Sequence, residues 1–577
     1  MHTARQRITN LIKNSHKVSD KYLWYPVPRK EDATLSENGL PLEQRKTAWN
    51  QLHNHLFSYQ NTFLGFQINQ SFDSEKAKPF LNIALNNDGD PFSPSSQDAM
   101  NTKVMECAVL DYFAKLWRVQ QSFHSNEAER AYWGYVTAMG SSEGNILALF
   151  NARDYLAGMP LLHPMLNLDG SKVPDRDVDP NQPITEMHGH SMLNEYVASH
   201  DHRNEKLTHT PRKDNPNNFT PVVFLAEDCY HGFEKALRVL QMKTFCDIGS
   251  GNFSCPLKYP DDYPSSFSDE FLDQNGWPHA VPVEADGSIS IPCLVKLVTA
   301  FVSRGFPPLV VFTSGTTFKG ANDNPQAAIN QLVPILKQHG MYERRVYSPE
   351  HPTKSDIRNG FWFHIDGALG GAQLRFLEMA IDEGLVDNVF PNGFPVFDFR
   401  IPEVKSIAMS LHKWFGCPVP SAVFMMRNND QVRPLDQPLL IGGLDSSLSG
   451  SRGGHSVLVM WDLLSKKSYD DFKEIAADGV QMVAFSLEML QELQEELSLD
   501  LWVSHTPGSL FIYFRKPRED IVRRYSLGSK PMKVKTVDGT FEERIYCHIC
   551  LMPHVTKNLV LKFVEELREP GAFAIDN

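Results

Sequence analysis

The chain has 577 residues, 42% of them apolar, which is enough to bury a large core and, at ~150 residues per domain, to form two to four units. Its formal charge of -13 argues against a nucleic-acid partner, because phosphate backbones require a cationic face. No run approaches the ~18 apolar residues of a membrane span, the polar start Met1-His2-Thr3-Ala4-Arg5-Gln6-Arg7 lacks the apolar core of a secretory signal, and eight cysteines in so long a chain are not a disulfide scaffold; the expectation is a cytoplasmic protein without a membrane partner.

Residues 1–100 contain an amphipathic stretch from Thr47 to Phe57. From 101 to 461, helical patterns such as Met105-Val109-Tyr112-Phe113-Leu116 alternate with short apolar strands at Val222-Val223-Phe224, Leu309 to Phe312, Phe361 to Ile365 and Ser421 to Met426. That alternation predicts a doubly wound α/β sheet whose ligands bind beyond the strand carboxyl ends. Residues 462–577 carry helix, strand, strand and helix signals, the pattern of a small C-terminal α+β domain. Within the middle region, residues 160–220 are rich in Asn, Asp, Pro and His and read as a solvated insertion. His188, His190, His200 and His202 have no companion cysteine or regular spacing, so no metal site is assigned.

Five segments of the middle region carry chemistry. Gly140-Ser141-Ser142-Glu143-Gly144-Asn145 follows Tyr132 to Thr137 and leads into Ile146-Leu147-Ala148-Leu149, a Gly/Ser turn opening a helix whose free N–H groups suit either a phosphate or an ordinary cap. In Asp228-Cys229-Tyr230-His231, the imidazole suits stacking on a flat ring or a structural contact. Thr313-Ser314-Gly315-Thr316 leaves a strand, and Phe363-His364-Ile365-Asp366-Gly367-Ala368 is an apolar strand ending in a carboxylate. The decisive stretch is Ser410-Leu411-His412-Lys413, after Ile407-Ala408-Met409. A lysine at the end of a buried strand is costly to bury as a cation, so its amine suits Schiff-base chemistry, although a His-Lys pair also suits a solvated turn. Pyridoxal 5'-phosphate needs both groups: a lysine to hold its aldehyde, and a carboxylate to keep its ring nitrogen protonated. Lys413 and Asp366 are the candidates.

With these segments in this order, the chain resembles the group II pyridoxal-phosphate decarboxylases, in the branch holding bacterial histidine decarboxylase and plant serine decarboxylase. Further matches are Phe63-Leu64-Gly65-Phe66, Asn86-Asn87-Asp88-Gly89-Asp90-Pro91-Phe92, Gly416-Cys417-Pro418-Val419-Pro420, Gly450-Ser451-Arg452-Gly453-Gly454-His455 and Met552-Pro553-His554-Val555-Thr556. The resemblance implies a type I pyridoxal-phosphate fold, with a large mixed-sheet domain, an N-terminal segment packed on a partner subunit and a small C-terminal domain. It implies decarboxylation of an L-amino acid, histidine, serine or an aromatic one, to the amine and carbon dioxide. Ser141, Ser142, Ser410 and His412 are implied as phosphate-side contacts, His231 as the ring-stacking imidazole and Asp366 as the ring-nitrogen partner. Ala368 is implied as the small residue under the ring, Thr316 as a contact to the phenolic oxygen or substrate carboxylate, and Lys413 as the Schiff-base lysine. Ser451 is implied as a phosphate contact reaching across a homodimer with a shared active site. Phe66, Phe92 and His455 are candidates to line the substrate site.

Two positions depart from that pattern. Where the branch carries a loop tyrosine thought to protonate the substrate carbon, this chain has Leu440; where Asn is common, it has Thr313. The loss of the tyrosine keeps open an aldehyde product formed with oxygen. Retention of Lys413, Asp366 and His231 weighs against a non-catalytic homologue.

Overall fold

The computed structural model describes residues 29–73, 75–92, 100–119, 131–162, 166–167, 220–347, 354–434 and 445–573. The chain divides into two compact units, one of residues 72–474 and the other of the described residues up to Ser71 together with Ile475 onward.

The larger unit is built on a seven-stranded sheet. Its strands are β1 (Tyr132–Thr137), β2 (Val222–Phe224), β3 (Lys243–Thr244), β4 (Pro308–Thr313), β5 (Trp362–Asp366), β6 (Val404–Ser410) and β7 (Ala422–Arg427). They lie in the order β1-β7-β6-β5-β4-β2-β3. Strands β3 to β6 run parallel through β2, whereas β7 is antiparallel to both of its neighbours. The Val/Ile/Phe-rich sequences of β4, β5 and β6 are buried along their whole length, as strands covered on both faces must be. The doubly wound mixed sheet expected from the sequence is therefore present, each predicted strand displaced by no more than a residue or two.

One face of this sheet is covered by α1 (Ser141–Leu156), whose Leu147, Ala148, Ala152 and Tyr155 share a core with Tyr135, Val223, Val311, Trp362 and Phe424. Two sequence motifs far apart in the chain meet at the edge of this unit. Asn87 N donates to Arg452 O at 2.8 Å, Arg452 Nη1 donates to Gly89 O at 3.0 Å, and the buried Glu106 carboxylate accepts from Asn87 Nδ2 and Val136 N, both at 2.8 Å. The Asn86 to Phe92 and Gly450 to His455 strings are thus two halves of one hydrogen-bonded layer.

In the smaller unit, β8 (Ser504–His505), β9 (Phe511–Arg515), β10 (Gly528–Lys535) and β11 (Phe541–Cys550) form an antiparallel sheet in the order β8-β9-β11-β10. Cys547 and Cys550 are both buried there, three residues apart and so on opposite faces of β11. The segment Phe63 to Phe66 threads against this sheet: Leu64 O accepts from Cys550 N at 2.7 Å, and His554 Nε2 lies 2.7 Å from Phe63 O. Gly65 is required because a Cβ would sit 2.2 Å from Ser526 O. The predicted amphipathic stretch falls in the helix Leu42–Gln60, none of whose residues is buried; Trp49, Leu56 and Phe57 are exposed.

Candidate active site

Thr316, Asp366, Ala368, Ser410, His412 and Lys413 lie at or just beyond the carboxyl ends of adjacent strands, and Ser141 and Ser142 on the helix that covers them. Asp366 is the last residue of β5 and Ser410 the last of β6, with His412 and Lys413 directly after it. The strands bring these ends together: Gly367 N donates to Ala408 O at 2.9 Å, and Ser410 N to Ala368 O at 3.2 Å.

On the other side of Ser410 stands the first turn of α1. Ser410 Oγ donates to Ser141 Oγ at 2.9 Å. Gly140 caps the helix with φ 70 and ψ -165, a backbone conformation only glycine takes without strain, and a Cβ there would sit 2.9 Å from His412 Cε1. The turn is held from behind by Glu143, fully buried, which accepts from Ala138 N at 2.8 Å, Met139 N at 2.9 Å, Tyr135 Oη at 2.9 Å and Ser449 Oγ at 2.8 Å. The result is a helix N-terminus with free N–H groups, two hydroxyls and an imidazole converging on one spot, which suits a phosphate dianion.

Asp366 is fully enclosed. Burial pushes its carboxyl above the ordinary value, and the Lys413 ammonium, the Ala368 N–H at 3.1 Å and the Asn145 side chain each favour its charged form. Burial lowers His412, which the Lys413 charge reinforces. A buried carboxylate near a lysine amine is the arrangement that a protonated pyridine ring and a reactive aldehyde require.

Neighbouring segments complete the surround. Thr313 pairs with Asp366 in the β4/β5 register, and Ser314 N donates to Asp366 O at 2.9 Å, so the Ser314 to Thr316 turn leaves the sheet beside the carboxylate. Thr316 Oγ1 accepts from Ala321 N at 2.9 Å, which leaves its own proton to donate. The buried Asp323 fixes this turn by accepting Thr313 N and Ile289 N, both at 2.7 Å. His231 caps α2 (Gly232–Leu240) and its ring lies 4.6 Å from that of Tyr230, whose hydroxyl is 3.4 Å from Ser142 Oγ. Ser451 is exposed, next to the buried Arg452, and makes no described contact with the other site residues. Phe92 packs edge-on against Tyr132, and His455 Nε2 lies 3.1 Å from Phe80 O. Leu440 lies outside the described residues.

Sequence reasoning gave no role to Glu143, Asn145, Asp323 or His364. Each is a polar residue buried inside a helix, turn or strand, and only the pairing of elements shows what it faces.

Comparison with known proteins decides the family. Residues 278–498 match the pyridoxal-dependent decarboxylase conserved domain. The chain is 32% identical to L-methionine decarboxylase from Streptomyces sp.590, covering 95% of this chain and 99% of that one, with a TM-score of 0.77. The chain belongs to the pyridoxal-dependent decarboxylases. Curated relatives of this decarboxylase include serine decarboxylase 2 of Oryza sativa subsp. japonica, 24% identical over 89% of this chain and 76% of the relative, and histidine decarboxylase of Solanum lycopersicum, 22% identical over 88% and 84%. The decarboxylase is accordingly a pyridoxal-phosphate-dependent amino-acid carboxy-lyase of fold type I, and the buried carboxylate, adjacent lysine and hydroxyl-lined helix terminus fit its cofactor. Among the described residues, no helix is long and apolar enough to cross a membrane, and no cluster of His, Cys, Asp and Glu could hold a metal ion.

Proposed function

We propose that this enzyme decarboxylates an uncharged L-amino acid with an apolar side chain, of the methionine class, releasing carbon dioxide and the primary amine. The observation that carries the site assignment is the enclosed Asp366 carboxylate within the field of Lys413. The substrate class is supported by the likeness to L-methionine decarboxylase, 32% identical over 95% of this chain.

Bound pyridoxal phosphate supplies an electron sink for the pair released when the Cα–carboxylate bond breaks. Asp366 would hold a proton on its ring nitrogen, and Lys413 would anchor it through the side-chain amine. Ser141, Ser142, Ser410, His412 and the N–H groups opening α1 would hold the phosphate, with Ser451 contributing from the second subunit of a homodimer. His231 would stack on the ring, Ala368 would leave room for it, and the Thr316 hydroxyl would donate to the phenolic oxygen or the substrate carboxylate. At the substrate carbon a proton replaces the departing carboxylate, so one proton is consumed per carbon dioxide released.

The exposed apolar residues of Leu42–Gln60 support dimerisation, and the low cysteine content, eight in 577 residues, supports a reducing compartment, the cytoplasm. The test is an assay of the purified enzyme against the standard L-amino acids, with mass detection of amine and aldehyde and light scattering for the dimer. Methionine-class turnover is expected; exclusive turnover of serine, histidine or an aromatic amino acid would overturn the substrate assignment.

A further inference from the structure

Behind Asp366 runs a line of buried polar side chains. Trp362 Nε1 lies 3.0 Å from Ser406 Oγ, Ser406 Oγ lies 2.8 Å from His364 Nδ1, and His364 Nε2 lies 2.9 Å from Asn145 Oδ1. Trp362, Ser406 and His364 are completely buried and Asn145 nearly so. Asn145 Nδ2 has no hydrogen-bond partner of its own, yet the Asn145 side chain acts on Asp366 to favour its carboxylate.

The donor inventory of these groups gives the line a direction. An indole nitrogen can only donate, so Ser406 Oγ accepts from Trp362 Nε1, and its own proton is available to donate to His364 Nδ1. Nδ1 is then an acceptor, and the single proton of a neutral imidazole sits on Nε2. Neutrality is secured by burial, which takes His364 down to about 3. Nε2–H donates to Asn145 Oδ1, which leaves the Asn145 amide with its NH2 group directed away from the imidazole and available to Asp366. The competing tautomer has a partner too, because Ser406 O lies 3.2 Å from Nδ1. In that form Nε2 would become an acceptor, the amide would have to turn over, and a carbonyl oxygen would oppose the Asp366 carboxylate. The Ser406 hydroxyl selects between the two.

We propose that Trp362, Ser406, His364 and Asn145 form a directional hydrogen-bond relay that holds the amide of Asn145 with its NH2 group toward Asp366, making His364 and Ser406 positioning residues for the carboxylate that keeps the cofactor's ring nitrogen protonated. The inference rests on the assignment of Asp366 to that nitrogen.

The test uses holoenzyme loaded with cofactor labelled with 15N in the ring. Ser406→Ala deletes the selecting hydroxyl with little change of volume, His364→Leu breaks the relay, and His364→Gln restores a donor near Asn145. In Ser406→Ala and His364→Leu the ring-nitrogen resonance is expected to move toward the unprotonated position and kcat to fall roughly tenfold with KM within about twofold, the scale of one buried hydrogen bond to a charged group; His364→Gln recovers most of both. Asp366→Asn, measured in parallel, gives the resonance of a site lacking the carboxylate. A wild-type resonance in folded Ser406→Ala and His364→Leu, with Asp366→Asn shifted, would overturn the relay alone. A wild-type resonance in all three would overturn the Asp366 assignment and the relay with it.

Discussion

Ser410 Oγ and Ser141 Oγ lie 2.9 Å apart, joining the end of β6 to the first turn of α1 across 269 residues of sequence. The contact depends on the backbone around Ser141 keeping its place, and that place is set by Glu143, whose two oxygens share four donors from β1, the turn after it and the Ser449 loop.

Glu143→Ala is expected to release this turn, weakening pyridoxal phosphate binding by roughly one to two orders of magnitude and unfolding stability by about 2–4 kcal/mol, because several buried donors lose a charged acceptor together. Glu143→Gln lies between, since its carbonyl can still accept Ala138 N and Met139 N while its NH2 group opposes two hydroxyls. Cofactor titration by fluorescence checks both; equal affinity in Glu143→Ala and wild type would refute the role.

For Lys413, the expectation is a yellow wild-type protein whose visible band vanishes in Lys413→Ala. Borohydride followed by peptide mass mapping should attach the cofactor to Lys413 only when the protein was loaded beforehand. A label on any other lysine would end the assignment.

Replacing Asp366 by Asn preserves shape and removes the charge that holds the ring proton. Turnover is expected to fall by about three orders of magnitude while the cofactor stays bound, the signature of an interaction made mainly in the transition state. Near-normal kcat in Asp366→Asn contradicts the role.

Two buried groups pull the pH dependence of stability in opposite directions. His364 titrates at about 3 in the fold against an ordinary 6.5, so the unfolded chain binds the extra proton and stability is lost as pH falls from 6.5 toward 3. Burial raises Asp323 to about 7 from an ordinary 3.8, so the folded chain keeps that proton and stability is lost as pH rises from 3.8 through 7. Each contributes a slope approaching about 1.4 kcal/mol per pH unit where its window is open, and from pH 3.8 to 6.5, where the windows overlap, they nearly cancel. His364→Gln removes one of them. Its unfolding free energy, followed by denaturant titration between pH 4 and 6.5, should fall with rising pH relative to wild type; parallel curves would show that His364 is not neutral and buried.

The reactive end of the site was legible because its chemistry is local. A lysine and a carboxylate placed just where apolar strands stop are anomalous on a single line of sequence, and Lys413 and Asp366 could be read that way. His364 stands two residues before Asp366 inside a strand, where an imidazole reads as an ordinary core residue until Ser406 and Asn145 are brought beside it by β6 and α1. Glu143 reads as an acid in the first turn of a helix, which the helix dipole alone would justify. Arg452 and Asn87 were visible as parts of two separate strings, but nothing along the chain shows that they form one layer.

The position of β7 also has a consequence for the order of events during synthesis. β1, which carries the Ser141 turn, reaches β6 only through β7, and β7 is the last strand of this sheet to leave the ribosome. Until about residue 427 has emerged, β1 has no strand partner in this sheet, and the helix terminus it leads into rests on the packing of α1 against β2, β4 and β5 and on the Ser410–Ser141 contact.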